Sequence, residues 1–69
     1  MNRDRMVHDA NQIALYFASG PRDEALAGIA DHLKKFWTPR MRQEIEEYVR
    51  AGGGGVHELA RDAIAKLVP

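Results

Sequence analysis

Three breaks in an otherwise continuous helical pattern constrain the fold of this chain most strongly. Between the breaks, apolar residues recur every three or four positions, which is the spacing of one buried helix face. The breaks are Ser19-Gly20-Pro21, Thr38-Pro39 and the run from Gly52 to Gly55, and such residues end or begin helices. The pattern therefore predicts an all-α fold, a compact array of three to four short helices.

The breaks also predict the helix bounds and the core. The helices are expected at about Arg3 to Ala18, Arg22 to Trp37, Pro39 to Ala51 and Val56 to Leu67. The predicted core stripes are Met6, Ala10, Ile13, Ala14 and Phe17; Leu26, Ile29, Ala30, Leu33 and either Phe36 or Trp37; Met41, Ile45, Tyr48 and Val49; and Val56, Leu59, Ala60, Ala63, Ile64 and Leu67. The four glycines predict a sharp, mobile reversal before the last helix.

The size of the chain predicts one small domain spanning residues 1–69, which gains little stability from its core alone. There is no cysteine, so a disulfide or thiolate metal site cannot supplement that core, and a reducing cytoplasm is the simplest location. Docking or homo-oligomerisation of the isolated chain remains as a source of stability. No apolar run is long enough to span a membrane, so we expect a soluble protein.

The charge balance argues against nucleic acid as the main partner. Ten basic and ten acidic residues give a formal net charge of zero. An alternative is a homodimeric helix-turn-helix-like regulatory or DNA-binding domain that uses the turn at Phe36–Met41. Its reading helix would carry Glu44, Glu46 and Glu47 among its arginines, which suits a phosphate backbone poorly.

The sequence predicts no catalytic, cofactor-binding or metal-binding residue. His8, His32 and His57 lie far apart in the chain and have no cysteine to complete a ligand set. The glycine run lacks the Lys-Ser/Thr of a phosphate-binding loop. We therefore expect a chain that is not an enzyme by itself.

Two arginines follow a helix-start signal. They therefore lie at the N-terminus of a helix, the end whose positive dipole disfavours cations. Thr38 is a suitable N-cap and Pro39 suits the first helical position, so Arg40 and Arg42 lie at the positive end of the helix dipole. One interpretation pairs Arg40 with Glu44 and Arg42 with Glu46. The other assigns the guanidinium groups to a carboxylate or phosphate on another molecule.

Surplus groups next to the core predict where a partner binds. Phe36 and Trp37 point about 100° apart, so we expect one of them to face a partner. Trp37 is the larger candidate, and with the neighbouring arginines it is the predicted contact because Trp and Arg are enriched at binding hot spots. The amides of Asn11 and Gln12 suit an interface as well. Gly28 lies off the core stripe and can admit the backbone of a partner.

Several blocks of the sequence resemble one family. Ala10–Ala14, Gly28–Leu33, the run Phe36-Trp37-Thr38-Pro39-Arg40-Met41-Arg42 and the break at Ala51–Gly55 are similar to the delta subunit of the NAD-dependent formate dehydrogenases. The combination of His32, Phe36-Trp37 and Pro39-Arg40-Met41 is the most specific of these features.

This resemblance implies a cofactor-free accessory subunit of a complex that oxidises formate and reduces NAD. The complex is implied to carry a molybdenum or tungsten pterin and iron–sulfur clusters in its alpha subunit, with FMN and further clusters in smaller subunits. The delta subunit is implied to support assembly, stability or cofactor retention of the alpha subunit. The residues expected to contact that subunit are Asn11, Gln12, His32, Trp37, Arg40 and Arg42.

Overall fold

The computed structural model describes residues 2–67, and the regular structure in that range is entirely helical. Four helices follow one another: α1 (Arg3–Phe17), α2 (Arg22–Phe36), α3 (Pro39–Arg50) and α4 (Glu58–Ala65). Each helix packs against the other three, and together they form a bundle of 29 × 22 × 19 Å. The predicted all-α array is confirmed.

The helix bounds follow the predicted breaks closely, except in the last helix. The first three helices each end one residue earlier than predicted. The fourth begins at Glu58 rather than Val56 and ends at Ala65 rather than Leu67. It begins late because His57 is its N-cap: Nδ1 of that imidazole accepts a hydrogen bond from the backbone N–H of Leu59 at 3.0 Å.

The core lies between the four helices and contains no buried polar or charged side chain from residues 2–67. The largest fully buried side chains all belong to the predicted stripes: Met6, Ile29, Leu33, Ile45 and Ile64. Other stripe members are only partly buried and pack around this centre, namely Ile13, Phe17, Met41, Tyr48, Val49, Leu59 and Leu67. The stripes therefore predicted the core correctly and overestimated its width.

The glycine run between α3 and α4 makes the predicted reversal, since the two helices pack on each other, and side chains bind its backbone. The carbonyl oxygens of Gly53, Gly54 and Gly55 accept hydrogen bonds from Arg61, Tyr48 and Asn11, respectively. The φ angles of Gly52, Gly53 and Gly55 are positive, a region that residues with a Cβ rarely adopt. The glycines provide the backbone conformation, and three helices fix it.

An ion pair joins the start of α2 to α4. The guanidinium group of Arg22 donates to the carboxylate of Asp62 and lies 4.0 Å from that of Glu58. The hydrogen bond to Asp62 raises the pKa of Arg22 above its ordinary value. The pair lies at the surface and supports the helix packing without entering the core.

Candidate docking surface

The two aromatic residues at the end of α2 face opposite ways. Trp37 is 7% exposed and belongs to the core, whereas Phe36 is 71% exposed. Helix α2 ends at Phe36 and the backbone of Trp37 is already extended (φ −99°, ψ 144°), so the chain leaves the helix at that residue and the indole packs inward. The prediction that Trp37 projects toward a partner is therefore wrong.

The helix-start signal after Trp37 is confirmed. The hydroxyl of Thr38 accepts a hydrogen bond from the backbone N–H of Met41 at 3.1 Å, and Pro39 is the first residue of α3. The cap satisfies one of the backbone donors that a helix leaves open at this end. It also fixes where the two arginines that follow lie.

Arg42 is bound within the chain, to the end of the preceding helix. Its Nη1 donates to the carbonyl oxygens of Leu33 and Lys34, each at 3.2 Å, and to that of Trp37. These carbonyls lie at the C-terminal end of α2, where the helix dipole is negative; that of Leu33 also accepts a hydrogen bond from the backbone N–H of Trp37 at 3.0 Å. Arg42 therefore caps α2, and the same contact offsets its unfavourable position at the start of α3.

Arg40 remains at the surface. Its Nε lies 3.4 Å from Oε1 of Glu44, as predicted, and its side chain is 89% exposed. Glu46 pairs with Arg50, so the predicted pairing of Arg42 with Glu46 is wrong. An exposed pair such as Arg40–Glu44 stabilises a fold little, and its guanidinium stays accessible. Contact between Arg40 and a partner stays a prediction.

Asn11 joins α1 to the segment before α4. Its Nδ2 donates to the carbonyl oxygen of Gly55, and its Oδ1 accepts from the backbone N–H of His57, both at 2.8 Å. The amide that the sequence predicts for partner contact is thus already engaged inside the chain. The neighbouring Gln12 is exposed, and its contact with a partner stays a prediction.

Gly28 makes room for a side chain of the same molecule. A Cβ at this position would lie 2.4 Å from Cε1 of Phe17, so only glycine lets that ring lie against α2. The ring of Phe17 in turn meets Tyr16 edge-on, with centroids 5.1 Å apart. The expectation that Gly28 admits a partner's backbone is therefore wrong, and the residue instead positions the aromatic side chains of α1.

Those side chains form the most exposed apolar region of α1 and α2. An open groove of about 420 Å³ is lined by Gln12, Ile13, Tyr16, Phe17 and His32. Phe36 extends it, because its ring centroid lies 4.6 Å from that of the His32 imidazole. We call these six residues the aromatic surface.

Two residues of the aromatic surface have side chains that lie mostly outside the packing of the domain. Tyr16 is 79% exposed and Phe36 71%. Leu15 is the other large hydrophobic residue exposed among residues 2–67, at 56%, and it does not line the groove. Contiguous apolar surface of this kind marks interaction sites more often than single exposed residues do.

The aromatic surface contains no lysine, arginine, aspartate or glutamate. One ion pair lies close to it on each helix: Arg5 with Asp9 at 3.4 Å on α1, and Lys35 with Asp31 at 3.1 Å on α2. Apart from the His32 imidazole, the surface itself therefore offers a charged partner no counterion.

The aromatic surface also offers hydrogen-bonding groups. No hydrogen bond between described residues uses the amide of Gln12, the hydroxyl of Tyr16 or the imidazole of His32. Apolar rings combined with unused polar groups are typical of the centre of a protein interface.

The sequence pattern predicted Gln12 and His32 as partner contacts and missed Tyr16. Phe36 belonged to an aromatic pair of which one member was expected to face a partner, and Trp37 was chosen as the contact instead. A signal for Tyr16 was present, because it is an aromatic residue outside the core stripe of α1. The exposure of Phe36 depended on which residue of an adjacent aromatic pair entered the core.

The surface of α3 differs from the aromatic surface because it carries charged side chains. Arg40 is paired with Glu44, and the Gln43 amide donates to Glu47 at 3.3 Å. A helix that reads DNA needs cations available for phosphates, and here acids stand among them. The geometry of α3 therefore does not favour the helix-turn-helix alternative.

The structure is thus a small four-helix bundle with an aromatic surface on α1 and α2. The chain belongs to the family described as NADH-dependant formate dehydrogenase delta subunit FdsD, whose model matches residues 5–64. No curated protein and no solved structure matches the chain. Membership makes it a component of a formate dehydrogenase complex, and the matched range contains the whole aromatic surface.

Two further findings concern residues 2–67. None of the four helices combines the length and apolar character needed to cross a membrane. Among the same residues, no three histidine, aspartate or glutamate side chains are grouped so that they could hold a metal ion.

Proposed function

We propose that the chain is a non-catalytic accessory subunit of an NAD-linked formate dehydrogenase and docks on its catalytic alpha subunit. Its role there is to support assembly, stability or cofactor retention. The observation that carries this proposal is the match to the delta-subunit family over residues 5–64. The cysteine-free composition favours a cytoplasmic complex.

The proposal assigns the redox chemistry to other subunits. A molybdenum or tungsten pterin, iron–sulfur clusters, FMN and the NAD site would be held by the alpha subunit and its smaller partners. The delta chain offers an apolar core and an uncharged aromatic surface, which are properties suited to contact with protein. This division of labour makes the delta chain important for the yield or integrity of the complex, without a part in electron transfer.

Expression of the complex with and without the delta chain tests the proposal. We expect omission to reduce the fraction of alpha subunit recovered in the complex, or its molybdenum or tungsten content, with a matching loss of formate-dependent NAD reduction. Native mass spectrometry gives the subunit composition, and elemental analysis gives the metal content.

Two results would contradict the proposal. One is a complex of unchanged yield, metal content and specific activity in the absence of the delta chain, together with failure of the tagged chain to capture any formate dehydrogenase subunit. The other is formate turnover by the purified delta chain alone. The same preparation supplies the delta-free complex needed for binding measurements.

A further inference from the structure

We propose that the aromatic surface is the docking surface of this chain, and that its occupant is an uncharged, apolar segment of the catalytic subunit. The identity of the partner rests on the proposed function. The location and chemistry of the contact rest on the structure of α1 and α2.

The two exposed rings lie at one place on the molecule. Tyr16 and Phe36 are far more exposed than the other aromatic side chains of residues 2–67, and both border one groove instead of being scattered. One wall of the groove, Phe17, packs so closely on Gly28 that there is no space for a Cβ. A partner that covers the groove removes both rings from water at once.

The charges at the groove favour an uncharged occupant. No lysine, arginine, aspartate or glutamate lines it, and the ion pairs beside it, Arg5–Asp9 and Asp31–Lys35, are closed within each helix. A charged segment would lose its hydration here without gaining a counterion. The groove therefore selects an uncharged segment.

Unused polar groups stand around the groove. The Gln12 amide, the Tyr16 hydroxyl and the His32 imidazole surround the apolar floor formed by Ile13 and Phe17. They can hydrogen-bond the peptide groups of a segment whose side chain enters the groove. An apolar side chain framed by its own backbone matches this arrangement.

The shape of the groove favours a different protein over a second copy of this chain. A two-fold dimer brings the same surface of each copy together, so one concave groove would face another. A projecting segment of a larger subunit fills the groove instead.

Titration of the purified delta-free complex with delta variants tests this assignment. Tyr16→Ala and Phe36→Ala are each expected to weaken binding by about 30-fold, which corresponds to about 2 kcal/mol. Leu15→Ala is the matched control, because it removes an exposed apolar side chain of α1 outside the groove; its affinity should stay within about twofold. The thermal melting of each variant confirms that it is folded.

Substitution of Gln12 tests the chemistry of the partner. Gln12→Glu and Gln12→Lys should both weaken binding, and the affinity of the unaltered chain should change little with salt, because the facing segment is uncharged. Tighter binding by either variant would identify a charged segment and overturn this part of the proposal.

The outcomes separate this proposal from the one on which it rests. If the unaltered chain binds the complex and both ring truncations bind equally well, the aromatic surface is not the docking surface, although the proposed function stands. If the unaltered chain fails to bind, the proposed function itself fails. If the isolated chain is a dimer that Phe36→Ala dissociates while binding to the complex is unchanged, a second copy occupies the groove and the proposal is overturned.

Discussion

The corner between α2 and α3 and the aromatic surface of α1 and α2 carry similar residues for different purposes. The corner holds Trp37 and Arg42, the residue types most often found at binding hot spots, and both are engaged inside the molecule. The aromatic surface holds Tyr16 and Phe36, which have no such engagement. Residue type alone therefore does not distinguish a group that holds the fold from one available to a partner.

The difference arises over a single residue. Phe36 is the last helical residue of α2, and Trp37 is the first extended one. Because the chain changes direction there, neighbouring rings point to opposite environments. Three carbonyls at this end of the helix then accept hydrogen bonds from Arg42, so its guanidinium group is used inside the molecule.

Truncation of the adjacent residues Phe36 and Trp37 should give the largest difference in unfolding free energy between the two regions. Trp37→Ala should destabilise the domain by about 3–5 kcal/mol, which approaches the whole stability of a domain this small. Phe36→Ala should cost less than about 1 kcal/mol, because its ring is 71% exposed. Urea unfolding followed by circular dichroism measures both, and similar losses would erase the distinction.

Truncation of Arg40 and Arg42 should give the next largest difference in unfolding free energy. Arg42→Ala removes the side-chain donor to three carbonyls at the C-terminal end of α2 and should cost about 2 kcal/mol of unfolding free energy. Arg40→Ala removes only an exposed ion pair and should cost about 0.5 kcal/mol or less. Chemical denaturation of the two variants checks the order. Equal values would mean that the carbonyl contacts contribute nothing.

The adjacent amides of Asn11 and Gln12 extend the comparison to α1. Asn11→Ala removes both hydrogen bonds to the segment before α4 and should destabilise the domain by about 1–2 kcal/mol. Gln12→Ala should leave stability almost unchanged, because this side chain is exposed. Thermal unfolding of both variants provides the measurement, and a larger loss for Gln12→Ala would contradict the internal role of Asn11.

The smallest effect concerns how the aromatic surface is built. Gly28→Ala gains helix propensity of about 1 kcal/mol but meets the ring of Phe17, and overpacking typically costs 1–3 kcal/mol. We expect a net loss of about 1 kcal/mol.

The effect of Gly28→Ala on stability should change sign when the ring of Phe17 is removed. In a Phe17→Ala background, Gly28→Ala should stabilise the domain, and a double-mutant cycle on unfolding free energies isolates this coupling. A stabilising effect of Gly28→Ala in the unaltered chain would show that the ring moves aside freely.

The helices could be predicted from the sequence because the signals that bound them are local. Gly20 and Pro21 lie between two helices, the Thr38 cap acts three residues along the chain, and periodic stripes identify the core. Contacts between distant segments gave no comparable signal. Asn11 binds residues 44 and 46 positions away, so its amide could be recognised as unusual but not assigned.

The candidate site was predictable only in part, for the same reason. Gln12 and His32 stood out by residue type, and both line the groove. The inward turn of Trp37 depends on how α3 packs beside α2, and the gap beside Gly28 depends on a ring of α1. Neither can be read from the spacing of apolar residues along one helix.

Protection of engineered cysteines on docking tests the central claim most directly, because the chain has no cysteine of its own. Gln12→Cys places a thiol beside the groove, and Gln43→Cys places one on the exposed face of α3; the native residue is an exposed glutamine in both cases. The account predicts that maleimide labels the delta chain at least about tenfold more slowly at position 12 after assembly with the complex, and equally fast at position 43. If labelling instead slows at position 43 and stays equally fast at position 12, the account is contradicted and the partner lies on α3.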